Sequence, residues 1–324
     1  MKRRFAALFA AILLLCTACA QEPVQKRAEY YVKIGETELT AMPRRVVTMS
    51  RALTETVCAL GFAGRLVGVD GDANAPSLAE RLPACGNALT PDTDAILSLS
   101  PDLVLTPARL PAHTADALEA AGCAVVVLPY ADTLEGVLTN WDAVCMMLAG
   151  AERGTRMQEQ LHHYAEAVLE SLSEGVTQGE SVLVLQRLPN VAATGGTWVD
   201  DLLRRTGLEN AAAGGENWIY TPAEGEGYAA DRILCDDEIT IPMLEESVWK
   251  QSDAVLQDRV VGFDGNLLEA QTPRSLLAFA AALRGAYPEA DFPEADIVLE
   301  QEPPEPVAEP EPGWIEKIRG KLGI

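Results

Sequence analysis

The sequence predicts an α/β protein built as two lobes. Three features of its 324 residues carry that expectation. Short apolar runs alternate with helical patterns over 45–132, a long helical stretch fills 133–175, and the alternation returns over 176–298. Strands alternating with helices at such spacing build mainly parallel sheets.

In the first lobe, 46–49 (Val-Val-Thr-Met) reads as a buried strand, and 53–60 as a helix ended by Gly61, a residue suited to a C-terminal cap. A strand at 66–69, a short helix at 93–99 with Asp94 in its first turn, and a strand at 103–105 follow. A helix at 115–121 stopped by Gly122 leads to a strand at 124–128. Across 133–173, Val137, Trp141, Val144 and Leu148, then Met157, Leu161, Tyr164, Val168 and Leu172, recur at helical spacing. They predict a long helix, in one piece or two broken near Gly150–Gly154, joining the lobes. The second lobe then reads as a strand at 182–185, a loop at 194–197, a helix at 198–206 and a helix starting at 231–234. Strands at 239–241 and 259–261 and a helix at 274–283 complete it.

The two ends differ from this middle. Lys2, Arg3 and Arg4 precede an apolar run over 5–15, and Thr17-Ala18-Cys19 follows. That is the pattern of a secretory signal rather than of folded structure. Residues 1–18 are expected to be removed and 19–44 to form a spacer and entry segment. Over 299–324 the chain is first rich in Glu and Pro, which favours an extended linker, and then forms a short, partly basic amphipathic segment.

Composition narrows the chemistry. The net charge of −23 repels nucleic acid and favours solubility. Five cysteines follow the signal (Cys58, Cys85, Cys123, Cys145 and Cys235), none in a Cys-x-x-Cys spacing, so a zinc site is not expected. Three histidines, His113, His162 and His163, are too few for a metal site built on several imidazoles. No nucleophile elbow, phosphate-binding loop or His-Glu-x-x-His motif is present, so no catalytic residues and no enzyme are expected.

A family resemblance rests on motifs taken together. They are Ser50-Arg51-Ala52-Leu53-Thr54-Glu55 with Ala59-Leu60-Gly61, Arg65-Leu66-Val67-Gly68-Val69, and Ile96-Leu97-Ser98-Leu99-Ser100-Pro101-Asp102-Leu103-Val104. In the second half they are Thr194-Gly195-Gly196, Gly207-Leu208-Glu209-Asn210, Trp249, Arg259-Val260 and Pro273-Arg274. In their order and spacing the chain resembles the substrate-binding lipoproteins of ABC importers for iron–siderophore, haem and cobalamin, the class III periplasmic binding proteins. The resemblance implies two Rossmann-like lobes with central parallel sheets, joined by a long helix, with the ligand in the cleft between them. It implies an extracytoplasmic monomer held on the membrane by a lipid on Cys19, although Cys16 stands where leucine is usual. It also implies a permease and an ATPase as partners, a small-molecule metal chelate as cargo and no cofactor.

Ligands of open α/β sheets lie beyond the carboxyl ends of the strands. The loops expected there carry Met49, Arg51, Arg109, Arg187, Trp198, Trp218 and Tyr220. The arginines either grip anionic groups by paired hydrogen bonds or form salt bridges with Asp70, Asp72 or Asp132. Trp198, Trp218 and Tyr220 would stack on a flat ligand, Trp198 packing as core being the alternative, and Tyr220 is also a candidate haem ligand. The arginines favour a ferric siderophore over cobalamin or haem; a non-transport surface lipoprotein is the rival of a different class. Where the family docks on its permease with glutamates, the matching positions are Asp94 and Asp231. Asp236-Asp237-Glu238 replaces the family's usual Asn-Pro-Asp.

Overall fold

The computed structural model describes residues 30–71, 81–224 and 227–292. The signal, Cys19, the first part of the spacer (19–29), Asp72 and the 299–324 tail lie outside the described residues.

A hairpin of β1 (Val32–Ile34) and β2 (Thr37–Leu39) precedes the first lobe, turning at Gly35, whose φ of 56° suits a residue without Cβ. The lobe then runs β3 (Val46–Thr48), α1 (Arg51–Ala59), β4 (Leu66–Gly68), α2 (Thr93–Ser98), β5 (Leu103–Thr106), α3 (Ala112–Ala120) and β6 (Ala124–Val127). Its four strands are parallel in the order β4-β3-β5-β6. Every residue of β3 and β5 is buried, as expected for a parallel sheet covered on both faces.

The connector is two helices, α4 (Leu134–Ala149) and α5 (Ala151–Gly175), rather than one rod. They meet at Gly150, at φ 77°. The chain folds back there, because Gln158 Nε2 donates to the Asp142 carbonyl at 3.2 Å and His162 Nε2 lies 3.0 Å from Asp142 Oδ2. The broad apolar stripe of 133–173 is buried between these helices and both lobes.

The second lobe contains β7 (Ser181–Arg187), β8 (Val191–Ala192), α6 (Trp198–Arg205), β9 (Glu209–Asn210), β10 (Arg232–Asp236), α7 (Ile241–Glu245), α8 (Asp253–Leu256), β11 (Val260–Phe263), α9 (Gly265–Glu269) and α10 (Pro273–Ala286). Strands β11, β10 and β7 are parallel neighbours; β8 pairs antiparallel with the end of β7 and β9 parallel with its start. Two expectations are corrected here. The helix expected from 231 is strand β10, because Ile233, Leu234 and Cys235 are buried between β7 and β11. A short apolar run does not by itself tell strand from helix. The strand expected at 239–241 is instead the entry to α7, where Pro242 at the first turn favours a helix start.

One apolar core runs beneath both lobes. It joins Val57 and Leu105 of the first, Trp141 and Leu161 of the connector, and Val184, Trp198 and Leu276 of the second. The lobes therefore share a packed base instead of meeting at a flexible hinge. None of the five cysteines is in a disulfide. Burial pushes the Cys58, Cys85 and Cys235 thiols up to about 11 and those of Cys123 and Cys145 to about 12, so all five are poor nucleophiles. No described helix is long and apolar enough to cross a membrane.

Candidate functional site

Because all strands of the first lobe, and all but β8 of the second, run parallel, their carboxyl ends gather on one edge, and the two edges face each other across a cavity of about 620 Å³. Arg51, Tyr130 and Asp132 line it from the first lobe. Arg187, Trp198, Trp218, Glu269 and Gln271 line it from the second.

Local sequence sets each position. The Ser50 hydroxyl caps α1 by accepting from Leu53 N at 3.3 Å, so the helix begins at Arg51 and places Arg51 and Glu55 one turn apart on one face. Arg51 Nε donates to Glu55 Oε1 at 2.8 Å; Glu55 is 3% exposed and its second oxygen has no hydrogen-bond partner among the described residues. Arg187 ends β7, exposed, with its charge acting on Glu269. Glu269 is exposed at the cleft wall, and partial desolvation there raises its carboxyl from the ordinary value; Arg187 pulls it down and Asp236 pushes it up. Thr197 caps α6 through Asp200 N, which seats Trp198 at the helix start with only 1% of its surface exposed. Trp218 follows Asn217, and both have left-handed backbones, at φ 64° and 51°. Such residues are uncommon outside glycine and collect at functional sites. Trp218 is held there by its N–H to Thr194 Oγ1 (3.3 Å) and its carbonyl to Ala192 N (2.9 Å).

Of the ligand candidates read from sequence, Arg51, Arg187, Trp198 and Trp218 meet at this cavity. Three do not, and the two docking candidates, Asp231 and Asp94, lie apart from it. Met49 is 1% exposed and packs with Val47, Ile96 and Val104 inside the first lobe, since its position continues the β3 strand into the core. Arg109 is exposed on the loop after β5 and does not line the cavity. Tyr220 lies against Trp249, ring centroids 6.0 Å apart and 23° from parallel, and edge-on to Tyr228; it belongs to the second lobe's own aromatic cluster. Asp231 sits at the start of β10, where its carboxylate accepts from Ser181 N and Oγ, both at 2.8 Å. Those bonds hold it below the ordinary carboxylate range. Asp231 is therefore at the opposite end of the sheet from Arg187, about 20 Å away along six strand steps. Asp94 is exposed in the first turn of α2, where Asp92 supplies the cap to Ala95 N.

Sequence reasoning did not single out Tyr130, Glu269 or Gln271. Tyr130 is 57% exposed, its phenol raised by the cleft walls and by the charges of Asp70 and Glu269, with Ser50 pulling it down. Its loop was expected at the site, but nothing in Pro129-Tyr130-Ala131 marked the ring. The Asn266–Gln271 segment follows β11 and carries no motif. Among the described residues, no group of three His, Cys, Asp or Glu is gathered as metal ligands.

The profile of the periplasmic binding protein family matches residues 46–266. The chain belongs to that family. Both lobes up to α9 fall within the match, so the resemblance read from the motifs holds in sequence and in fold. This binding protein is 24% identical over 259 residues to an uncharacterised ABC transporter substrate-binding lipoprotein, YvrC, of Bacillus subtilis (strain 168), covering 76% of this chain and 81% of that one. Among solved structures it is similar to the periplasmic haem-binding protein RhuT from Roseiflexus sp. RS-1 (25% identity, TM-score 0.62, 75% of this chain and 99% of that one). It is also similar to the haem-binding protein BhuT in complex with two haems (26%, 0.62, 75% and 98%). The vitamin B12-binding BtuF of Vibrio cholerae shares the fold at 21% identity, with a TM-score of 0.59 over 76% of this chain and 98% of that one.

Proposed function

We propose that this protein captures a tetrapyrrole metal complex in the interlobe cleft and delivers it to the permease of an ABC importer. The observation that carries this reading is one cavity with a guanidinium from each lobe and two aromatic rings, Tyr130 and Trp218, on its walls. Its volume of about 620 Å³ is in the range of sites for small organic ligands. Charge balance selects within the metal chelates. Arg51 and Arg187 are offset by Asp132 and Glu269 in the lining and by Glu55 behind Arg51. That set suits a flat, largely apolar ring with one or two peripheral carboxylates better than a compact, highly charged chelate. The haem-binding relatives at 25–26% identity support the same class. Tyr130 lines the cavity and Tyr220 does not, which supports Tyr130 over Tyr220 as the tyrosine that meets a bound metal.

A ferric siderophore is the second reading, favoured by the two facing arginines. The relative named as an ABC transporter lipoprotein supports a permease and an ATPase as partners and a lipid on Cys19 as the anchor. Asp94 is the docking carboxylate on the first lobe; Asp231, at the far end of its sheet, does not share that face. Tryptophan quenching during titration with haem, cobalamin and a ferric siderophore tests the proposal. Saturation at one site by a tetrapyrrole is expected. Saturation by the siderophore alone would replace the first reading with the second, and saturation by none of the three would overturn both.

A further inference from the structure

The floor of the cleft contains a cross-lobe contact whose chemistry is specific to one side chain. Gln271 lies between α9 and α10 in the second lobe. Its Oε1 accepts from the Ala131 N–H at 2.9 Å and its Nε2 donates to the Ala131 carbonyl at 2.7 Å. One carboxamide thus satisfies both backbone groups of a residue 140 positions away, in the loop that leaves the first lobe's sheet. A carboxylate lacks the donor for the second of these bonds, and asparagine is one methylene shorter.

Gln271 is itself fixed from behind. Its carbonyl accepts from Trp141 Nε1 at 2.7 Å, and Trp141 is 1% exposed in α4. The next residue, Thr272, starts α10 with a capping box. The Thr272 N–H donates to Ser275 Oγ at 2.8 Å and Ser275 N donates to Thr272 Oγ1 at 3.3 Å. Gln271 has φ 54°, a left-handed conformation that a non-glycine residue holds only where its surroundings enforce it. On the other side of Tyr130, Asn140 Nδ2 donates to the Pro129 carbonyl at 2.7 Å. The three-residue strap Pro129-Tyr130-Ala131 is therefore tied at both ends, once to the connector and once to the second lobe. Between the ties Tyr130 extends its ring to the cavity, which Ala131 and Gln271 also line.

We infer that Gln271 is a positioning residue for ligand capture: its carboxamide sets the spacing of the two lobes at the cleft floor and holds Tyr130 toward the ligand. This rests on the reading of the cavity as the ligand site. It also accounts for two chemically plain residues, Ala131 and Gln271, in the cleft lining.

The test uses the full chain with Gln271→Ala and, as the isosteric variant in case alanine prevents folding, Gln271→Glu. In the ligand-free protein, amide hydrogen exchange over 129–133 should speed up at least tenfold in Gln271→Ala and by less in Gln271→Glu, which keeps an acceptor for the Ala131 N–H and loses only the donor to its carbonyl, while α4 and β7 exchange as in wild type and the melting temperature falls by no more than a few degrees. Loss of two hydrogen bonds that act through Tyr130 should also speed haem release, measured by transfer to apomyoglobin, about tenfold. Combining Gln271→Ala with Tyr130→Ala should then give no more than the larger single effect. Unchanged exchange over 129–133 would overturn the inference, and so would release rates that multiply in the double variant. If wild-type protein does not bind haem, the functional reading fails in that form, and the exchange arm still decides whether Gln271 fixes the strap.

Discussion

Replacing Arg51 by alanine should do two separable things. Glu55 is 3% exposed, its Oε1 is held by Arg51 Nε at 2.8 Å, and its Oε2 has no partner among the described residues. Removing the guanidinium strands that carboxylate. Breaking a buried pair by deleting one partner costs about 3–5 kcal/mol. The Arg51 side chain is 21% exposed, and its removal opens Glu55 to cleft water, so about 3 kcal/mol is expected. For a protein of this size each kcal/mol moves the melting temperature by roughly 2–4 °C, giving a drop of about 6–12 °C. Arg51→Ala/Glu55→Gln removes the stranded charge and should recover most of that loss in a thermal melt. It should not recover ligand affinity, because a guanidinium hydrogen bond to an anionic group is worth about 1.5–3 kcal/mol, or ten- to a hundredfold. Melts and titrations of the single and double variants separate the roles. If Arg51→Ala melts within 1 °C of wild type, the claim that Glu55 depends on Arg51 is wrong. If the double variant regains full affinity, Arg51 serves only to neutralise Glu55 and does not touch the ligand.

Arg187→Ala should leave the melting temperature nearly unchanged, since the side chain is exposed at a strand end, yet weaken ligand binding about tenfold or more by titration. Glu269→Gln should raise the melting temperature of ligand-free protein at neutral pH. The Glu269 carboxyl is raised in the fold, so its charged form opposes folding above the ordinary glutamate range, and the advantage of the variant should vanish as pH falls below that range. Asp231→Ala should destabilise by about 1–3 kcal/mol without altering ligand affinity, as it breaks two hydrogen bonds at the far end of the sheet. Because the Asp231 carboxyl is lowered in the fold, the difference from wild type should be full above the ordinary aspartate range and shrink as pH falls through the lowered value.

The sequence made the sheets legible where strands are fully buried. Val46-Val47 and Leu103-Val104-Leu105 have few alternatives to a parallel strand flanked by helices. It was less informative at 231–241, where two short apolar runs compete, and Pro242 and the pairing partners β7 and β11 decide between them. The connector was legible as helix, and Gly150 as its break, but not the side-by-side packing that the Asp142 contacts record. For the candidate cavity, charge and aromaticity at strand ends pointed to Arg51, Arg187 and Trp218, which line it, while Trp198, 1% exposed, packs as core behind its wall. The same rule overreached at Arg109 and Tyr220, because a loop position does not tell which way a side chain turns. Asp231 was matched to the docking glutamate of the resembled family, and the structure sets it just before β10, at the end of the sheet away from the cleft. Gln271 could not be found from sequence, since its role depends on a contact with Ala131 across 140 residues.

The central claim is that the cargo sits between the lobes. A crystal structure of the protein saturated with haem tests it most directly. The account predicts the ring between Arg51 and Arg187, against Tyr130 and Trp218, with the Gln271–Ala131 contact intact. Haem bound elsewhere, for instance in the groove formed by Arg232, Arg259 and Tyr287 at the other end of the second lobe, with the interlobe cavity empty, would contradict it.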